Sequence, residues 1–178
     1  MIRSTFKEID DMFRVLILIF SLSFSGLAIA AEPVEYFTDS IAQKEGEYIK
    51  LLGGSSWILS YPSIALVTEN VAIVFRNVVG KSKKQYEVPV FYHDGEEIVA
   101  RHIKGNYVKK SGFLATVIAQ YGEGAKLKLD DGTILSIPEY DRYDTGWWLP
   151  PYPVLVTSNG LYMWSLKKSK RVWVDGVQ

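Results

Sequence analysis

Residues 113–138 read FLATVIAQYGEGAKLKLDDGTILSIP, and this stretch decides the fold class. Three segments, 113–121, 125–129 and 133–137, carry strand-forming residues with apolar and polar side chains alternating, the signature of half-buried strands. Between the last two stands Asp130-Asp131-Gly132. A tight hairpin needs positive φ, which glycine adopts freely and aspartate tolerates, so this is a turn. The segment is a β-meander.

The same pattern extends in both directions. Downstream of Pro138 runs a long polar and aromatic connection to Pro153, then strands over 154–157, 161–166 and 171–174, with Asn159-Gly160 as a turn. Upstream, strands over 86–92 and 98–103 flank Asp94-Gly95. No window beyond residue 30 sustains apolar spacing of 3.6 over three turns, so the chain is all-β.

The meander also has an echo earlier in the chain. Ile118-Ala119-Gln120 repeats Ile41-Ala42-Gln43, and Ile134-Leu135-Ser136-Ile137-Pro138 matches Ile58-Leu59-Ser60-Tyr61-Pro62. Further on, Ala72-Ile73-Val74-Phe75 can be laid on Val154-Leu155-Val156-Thr157. The common order and spacing predict a tandem duplication with a shift of about 77 residues, giving β units over 38–106 and 111–178. Each is expected to have about five strands, the size of a small SH3-like or OB-like barrel. The stretch DDGTILSIP, followed by DRYDTGWWLP and a valine-rich strand, resembles small exported bacterial proteins to which no activity is attached. The resemblance implies a fold and carries no function.

Export is also legible at the N-terminus. Residues 15–30, VLILIFSLSFSGLAIA, hold no charge and are preceded by Arg14. The run is short for a bilayer span, and Ala28-Ile29-Ala30 fits the small-x-small pattern of signal peptidase. Residues 1–30 read as a signal peptide, with cleavage between Ala30 and Ala31. Met12 is a simpler start than Met1, because Met12-Phe13-Arg14 makes a short basic leader. A periplasmic or extracellular location follows, with no stable membrane anchor after cleavage.

Composition narrows the chemistry. Twenty basic residues balance twenty acidic ones in 178, and Lys81, Lys83 and Lys84 alone do not make a nucleic-acid site. There is no cysteine, which removes disulfides, thiolate-bound metals, thiol catalysis and a lipidated N-terminal cysteine. Two histidines, His93 and His102, cannot form a three-histidine zinc site, and both are expected at turns or on the surface. No nucleophile elbow occurs. Neither a catalytic residue nor a metal or other cofactor is assigned.

The connection from Pro138 to Pro153 holds the candidate binding residues Tyr140, Tyr143, Trp147, Trp148 and Tyr152. Exposed aromatics suit sugar rings or protein surfaces, because each buries much area with little rotamer entropy. Alternatively, a tryptophan here plugs the end of its own barrel, and one can plug while the other faces out. Glu139, Asp141 and Asp144 lie too close together in one loop to resemble a glycosidase pair, and they lack the glycine-turned spacing of a calcium loop. The hairpin tips differ in charge: Asp94, Glu96 and Glu97 in the first unit against Lys167, Lys168, Lys170 and Arg171 in the second. The expectation is an exported, non-catalytic binding or interaction protein with a protein or glycan ligand. A small hydrolase of envelope polymers and an eight-stranded outer-membrane barrel are the alternatives.

Overall fold

The computed structural model describes residues 31–80 and 83–178, so the proposed signal peptide, its cleavage site at Ala30 and Lys81 lie outside the described residues or at their border. The chain is all-β. Its first half forms β1 (Glu32–Glu45), β2 (Tyr48–Leu51), β3 (Ser56–Leu59), β4 (Asn70–Val79), β5 (Gln85–His93) and β6 (Glu96–Lys104). Antiparallel pairing runs β1-β2-β3-β6-β5-β4, and β4 returns to β1. This closes a six-stranded barrel, one strand more than the small barrel expected from sequence. A second departure is the start of β1 at Glu32, six residues ahead of the predicted unit.

The second half contains β7 (Lys110–Tyr121), β8 (Lys126–Leu129), β9 (Ile134–Ser136), a short helix α1 (Glu139–Thr145), β10 (Tyr152–Thr157), β11 (Tyr162–Ser165), β12 (Lys170–Trp173) and β13 (Gly176–Val177). β7 pairs with β8 and β10, β8 with β9, β10 with β11, and β11 with β12. β13 follows β12 after two residues and pairs with β9, completing the ring. The order of neighbours is the same in both halves.

Register refines the sequence alignment. Ala42 is the bulged residue of β1 and Ile118 that of β7, so Ile41 matches Val117, one residue before the predicted partner. In the hairpins, Leu51 N–H donates to Ser55 O and Leu129 N–H to Thr133 O, each at 2.8 Å. Leu59 N–H donates to Glu47 O and Ile137 N–H to Ala125 O, each at 2.9 Å. Leu59 therefore matches Ile137, not Leu135. In the fourth strand Ile73 matches Val156, both facing a barrel interior, whereas the sequence alignment set Ile73 on Leu155, which faces out. Short apolar segments slide easily in sequence comparison; only the alternation of faces and the bulge fix the register.

Each barrel has its own apolar interior. The first is filled by residues such as Ile41, Ile49, Trp57, Ile73, Phe91 and Ile98, and Tyr107 of the linker packs against it, stacked on Phe37 with ring centroids 5.0 Å apart. The second holds Val117, Leu127, Leu135, Val156, Met163 and Val172 at the corresponding places. An outer-membrane barrel has the opposite arrangement, with a polar lumen and an apolar exterior band. The eight-stranded alternative does not describe this fold.

A third core joins the barrels. β1 pairs with β7 through Glu32–Tyr36 as well as with β4, so one sheet runs through both halves. Outward-facing Val34, Tyr36, Val74, Val90 and Tyr92 pack with Leu155, Trp164 and Leu166. Burial, with a contribution from the neighbouring Tyr162 hydroxyl, pushes the Tyr36 hydroxyl pKa far above the usual tyrosine range. The oppositely charged hairpin tips meet inside this molecule. Gly95 N–H donates to Leu166 O at 3.3 Å, and Lys168 Nζ lies 3.8 Å from Asp94 Oδ1. That ion pair is exposed and adds little stability.

Candidate functional site

The predicted aromatic loop contains a helix. Pro138 precedes α1, Glu139 and Asp141 lie in its first turn where the helix dipole favours them, and Gly146 ends it. Two turns are too short to stand alone, so tertiary bonds hold the segment in place. Thr145 Oγ1 donates to Gly124 O at 2.9 Å, and Gln120 Nε2 donates to Gly146 O at 3.1 Å. Arg142 Nε donates to Ile137 O at 3.1 Å, and Trp173 N–H donates to Asp141 Oδ2 at 2.7 Å. Lys170 pairs with Asp144. Two of the three loop carboxylates are thus engaged in holding the loop.

This anchoring divides the five candidate aromatics. Trp148 is 3% exposed and Tyr152 is buried; their rings stack with centroids 4.6 Å apart and planes within 3°. Tyr152 Oη and Ser165 Oγ are 2.6 Å apart, which satisfies the buried phenol. These two residues belong to the barrel core. Trp147 and Leu149, on either side of Trp148, are each 74% exposed. Tyr140 and Tyr143 are exposed on the helix.

Tyr143 and Trp147 line an open groove of about 500 Å³. Gly122 and Gly146 bring bare backbone to its surface, and Glu123, Glu139 and Arg142 supply charge. Tyr140 lies outside it. Sequence reasoning missed Gly122 and Glu123, which come from the turn between β7 and β8. The signal that could have found them is the glycine pair of Gly122-Glu123-Gly124, three consecutive residues that fold with positive φ.

Gly124 is the joint between turn and helix. At φ +88°, a Cβ there would sit 2.4 Å from Gly146 N and 2.6 Å from Thr145 Oγ1. The matching Gly46, at φ +57°, has nothing within 4 Å of such an atom. Gly46→Ala is expected to cost about 1 kcal/mol through backbone strain alone. Gly124→Ala adds a clash with backbone, raising the cost to about 2–3 kcal/mol. Urea unfolding of both variants checks this, and equal losses would contradict the tight joint.

The histidines lie elsewhere. His93 stands beside the Asp94-Gly95 turn but is buried there at the end of β5, with Nε2 2.9 Å from Glu69 Oε2. His102 Nε2 is 3.0 Å from Gly105 O, and its ring packs on Trp57. No group of three His, Cys, Asp or Glu among the described residues could hold a metal ion. No helix among them is long and apolar enough to cross a membrane. No family model, curated protein or solved structure matches the chain.

Proposed function

We propose that this chain is an exported, non-catalytic binding protein of the bacterial envelope or exterior, and that the groove beside α1 is its contact surface. One observation carries the reading: Trp147 and Tyr143 stay in solvent around a backbone-floored groove, while the adjacent Trp148 fills the barrel. Exposed apolar surface gathered around a groove marks an interaction site. A glycan or a protein segment would stack on the rings and bond to Arg142, Glu123 and Glu139. We also propose that the two halves arose by duplication of one barrel; their shared neighbour order and matching interior positions support it.

Glycan arrays and pull-downs with exported protein supply the ligand. Trp147→Ala is then expected to weaken binding about thirty-fold, the cost of truncating an aromatic anchor, with an unchanged melting temperature. Unaltered affinity would remove the groove from the reading. N-terminal sequencing of the exported protein should begin within a residue or two of Ala31; an intact 15–30 segment would mean an anchor.

A second reading has one observation in its favour. Folding brings Glu123 and Glu139 to the same groove, a carboxylate pair of the kind a small envelope-polymer hydrolase would use. Turnover of a bound glycan that disappears in Glu139→Gln would establish it, whereas binding without turnover keeps the non-catalytic reading.

A further inference from the structure

The bond between Ala30 and Ala31, read above as the cleavage point, lies one residue ahead of β1. Ala31 is half-buried and packs against the interior of the second barrel. Glu32 is already in the sheet, paired with Leu114 of β7, and Pro33 and Val34 follow opposite Phe113 and Gly112. Arg76 of β4 donates from Nη2 to Glu32 Oε2 at 3.1 Å. Val34 is buried in the core between the barrels, and Tyr36 beyond it is 1% exposed. Over Glu35 and Tyr36 the strand is paired on both edges, with β7 and with β4.

A peptidase works on extended chain that it can surround, so cleavage concentrates at exposed tips, loose termini and transiently opened segments. No spare chain lies downstream of this bond. Freeing Ala31 and Glu32 from the folded molecule breaks a core contact, a ladder pair and an ion pair. Freeing two residues more pulls Val34 out of the core that joins the barrels. The ion pair is partly exposed and contributes little energy, so the ladder and Val34 supply most of the resistance. The end of a strand opens more easily than its middle, which keeps the effect below the full protection of the fold.

We infer that folding closes the cleavage site: the Ala30–Ala31 bond is cut before β1 docks on β7, and a chain that folds first keeps its leader. This order of events rests on the signal-peptide reading proposed above and deepens it. The step is hydrolysis of one amide by water, which leaves the carboxyl of Ala30 on the leader and frees the amine of Ala31. Processing then competes with folding. Because β1 belongs to the first barrel and also to the seam with the second, the same docking that completes the fold removes the substrate of the peptidase. The proportion of released to anchored chain follows the ratio of the two rates.

The full chain in detergent micelles provides the test. In one arm signal peptidase is present while the chain refolds from urea by dilution; in the other it is added after refolding is complete. The expected result is a product beginning at Ala31 in the first arm, and cleavage at least about tenfold slower in the second. A variant with a flexible Gly/Ser spacer inserted between Ala31 and Glu32, at an unchanged melting temperature, should be cut after folding as readily as during it. Folded parent that is cut as fast as the refolding chain overturns the inference and leaves the signal peptide in place. A folded spacer variant that resists like the parent overturns it too, because β1 is then not what hides the bond. Absence of any cut after Ala30, in both arms and in the spacer variant, removes the signal peptide itself and the inference with it.

Discussion

Trp148→Ala lowers the stability of the folded chain by about 3–5 kcal/mol, while Trp147→Ala leaves it within about 0.5 kcal/mol. The two residues are adjacent and chemically identical, so environment alone separates them. Trp148 lies in the second barrel against the face of Tyr152, among Leu135, Ile137 and Val154. Removing it deletes a stacked ring and leaves a cavity that strands on all sides cannot close. Trp147 touches little that folding requires, because the anchors at Thr145 and Gly146 already fix the backbone. Chemical denaturation of both variants decides the matter. Equal losses would mean that Trp147 also braces the loop, and the groove would lose its claim to be a preformed contact surface.

The same pair marks where the sequence stops being legible. Asp130-Asp131-Gly132 and the alternating strands around it could be read because hairpin chemistry and side-chain alternation are local. The possibility of one plug and one exposed ring was also visible, but not which was which. That depends on where Gln120 and Gly124, both far from the loop in sequence, hold its end. Helix α1 was hidden for a related reason. Seven residues, all of them polar or tyrosine, show no apolar stripe, and distant partners such as Trp173 N–H and Lys170 hold them in place.

The hairpin tips were recognised as complementary in charge, yet nothing local could show that Asp94 and Lys168 belong to one contact within the molecule. Glu123 entered the site unseen because its turn reads as a connection. The first strand gave a different difficulty. Val34 and Tyr36 alternate as an outward face, and sequence alone does not distinguish an outward face in water from one in a second interface.

That second interface carries the other large expectation: both barrels unfold in one transition, and Leu155→Ala destabilises both by about 3–4 kcal/mol. Each half is near 70 residues, a size at which one small core leaves little margin against chain entropy. The shared core supplies what each lacks. Leu155 is fully buried in it, contributed by the second barrel, with Val74 of the first buried in the same cluster. The backbone is continuous there too, since β1 is paired on one edge with β4 and on the other with β7. Gly112 lets the surfaces close; a Cβ at that position would lie 2.7 Å from Val156 O and 2.9 Å from the Tyr36 ring. Gly112→Val should therefore pry at the joint through Tyr36, while also pressing on the β10 backbone at Val156. Hydrogen exchange at Ile49 and Leu127, buried at matching positions of the two barrels, reads the coupling directly. In the parent both amides exchange through the same global opening, with equal free energies. In Gly112→Val the two values fall and separate, because each barrel then opens on its own. Unequal protection in the parent, or two calorimetric transitions, would mean that the barrels merely touch and that the third core contributes contact without cooperativity.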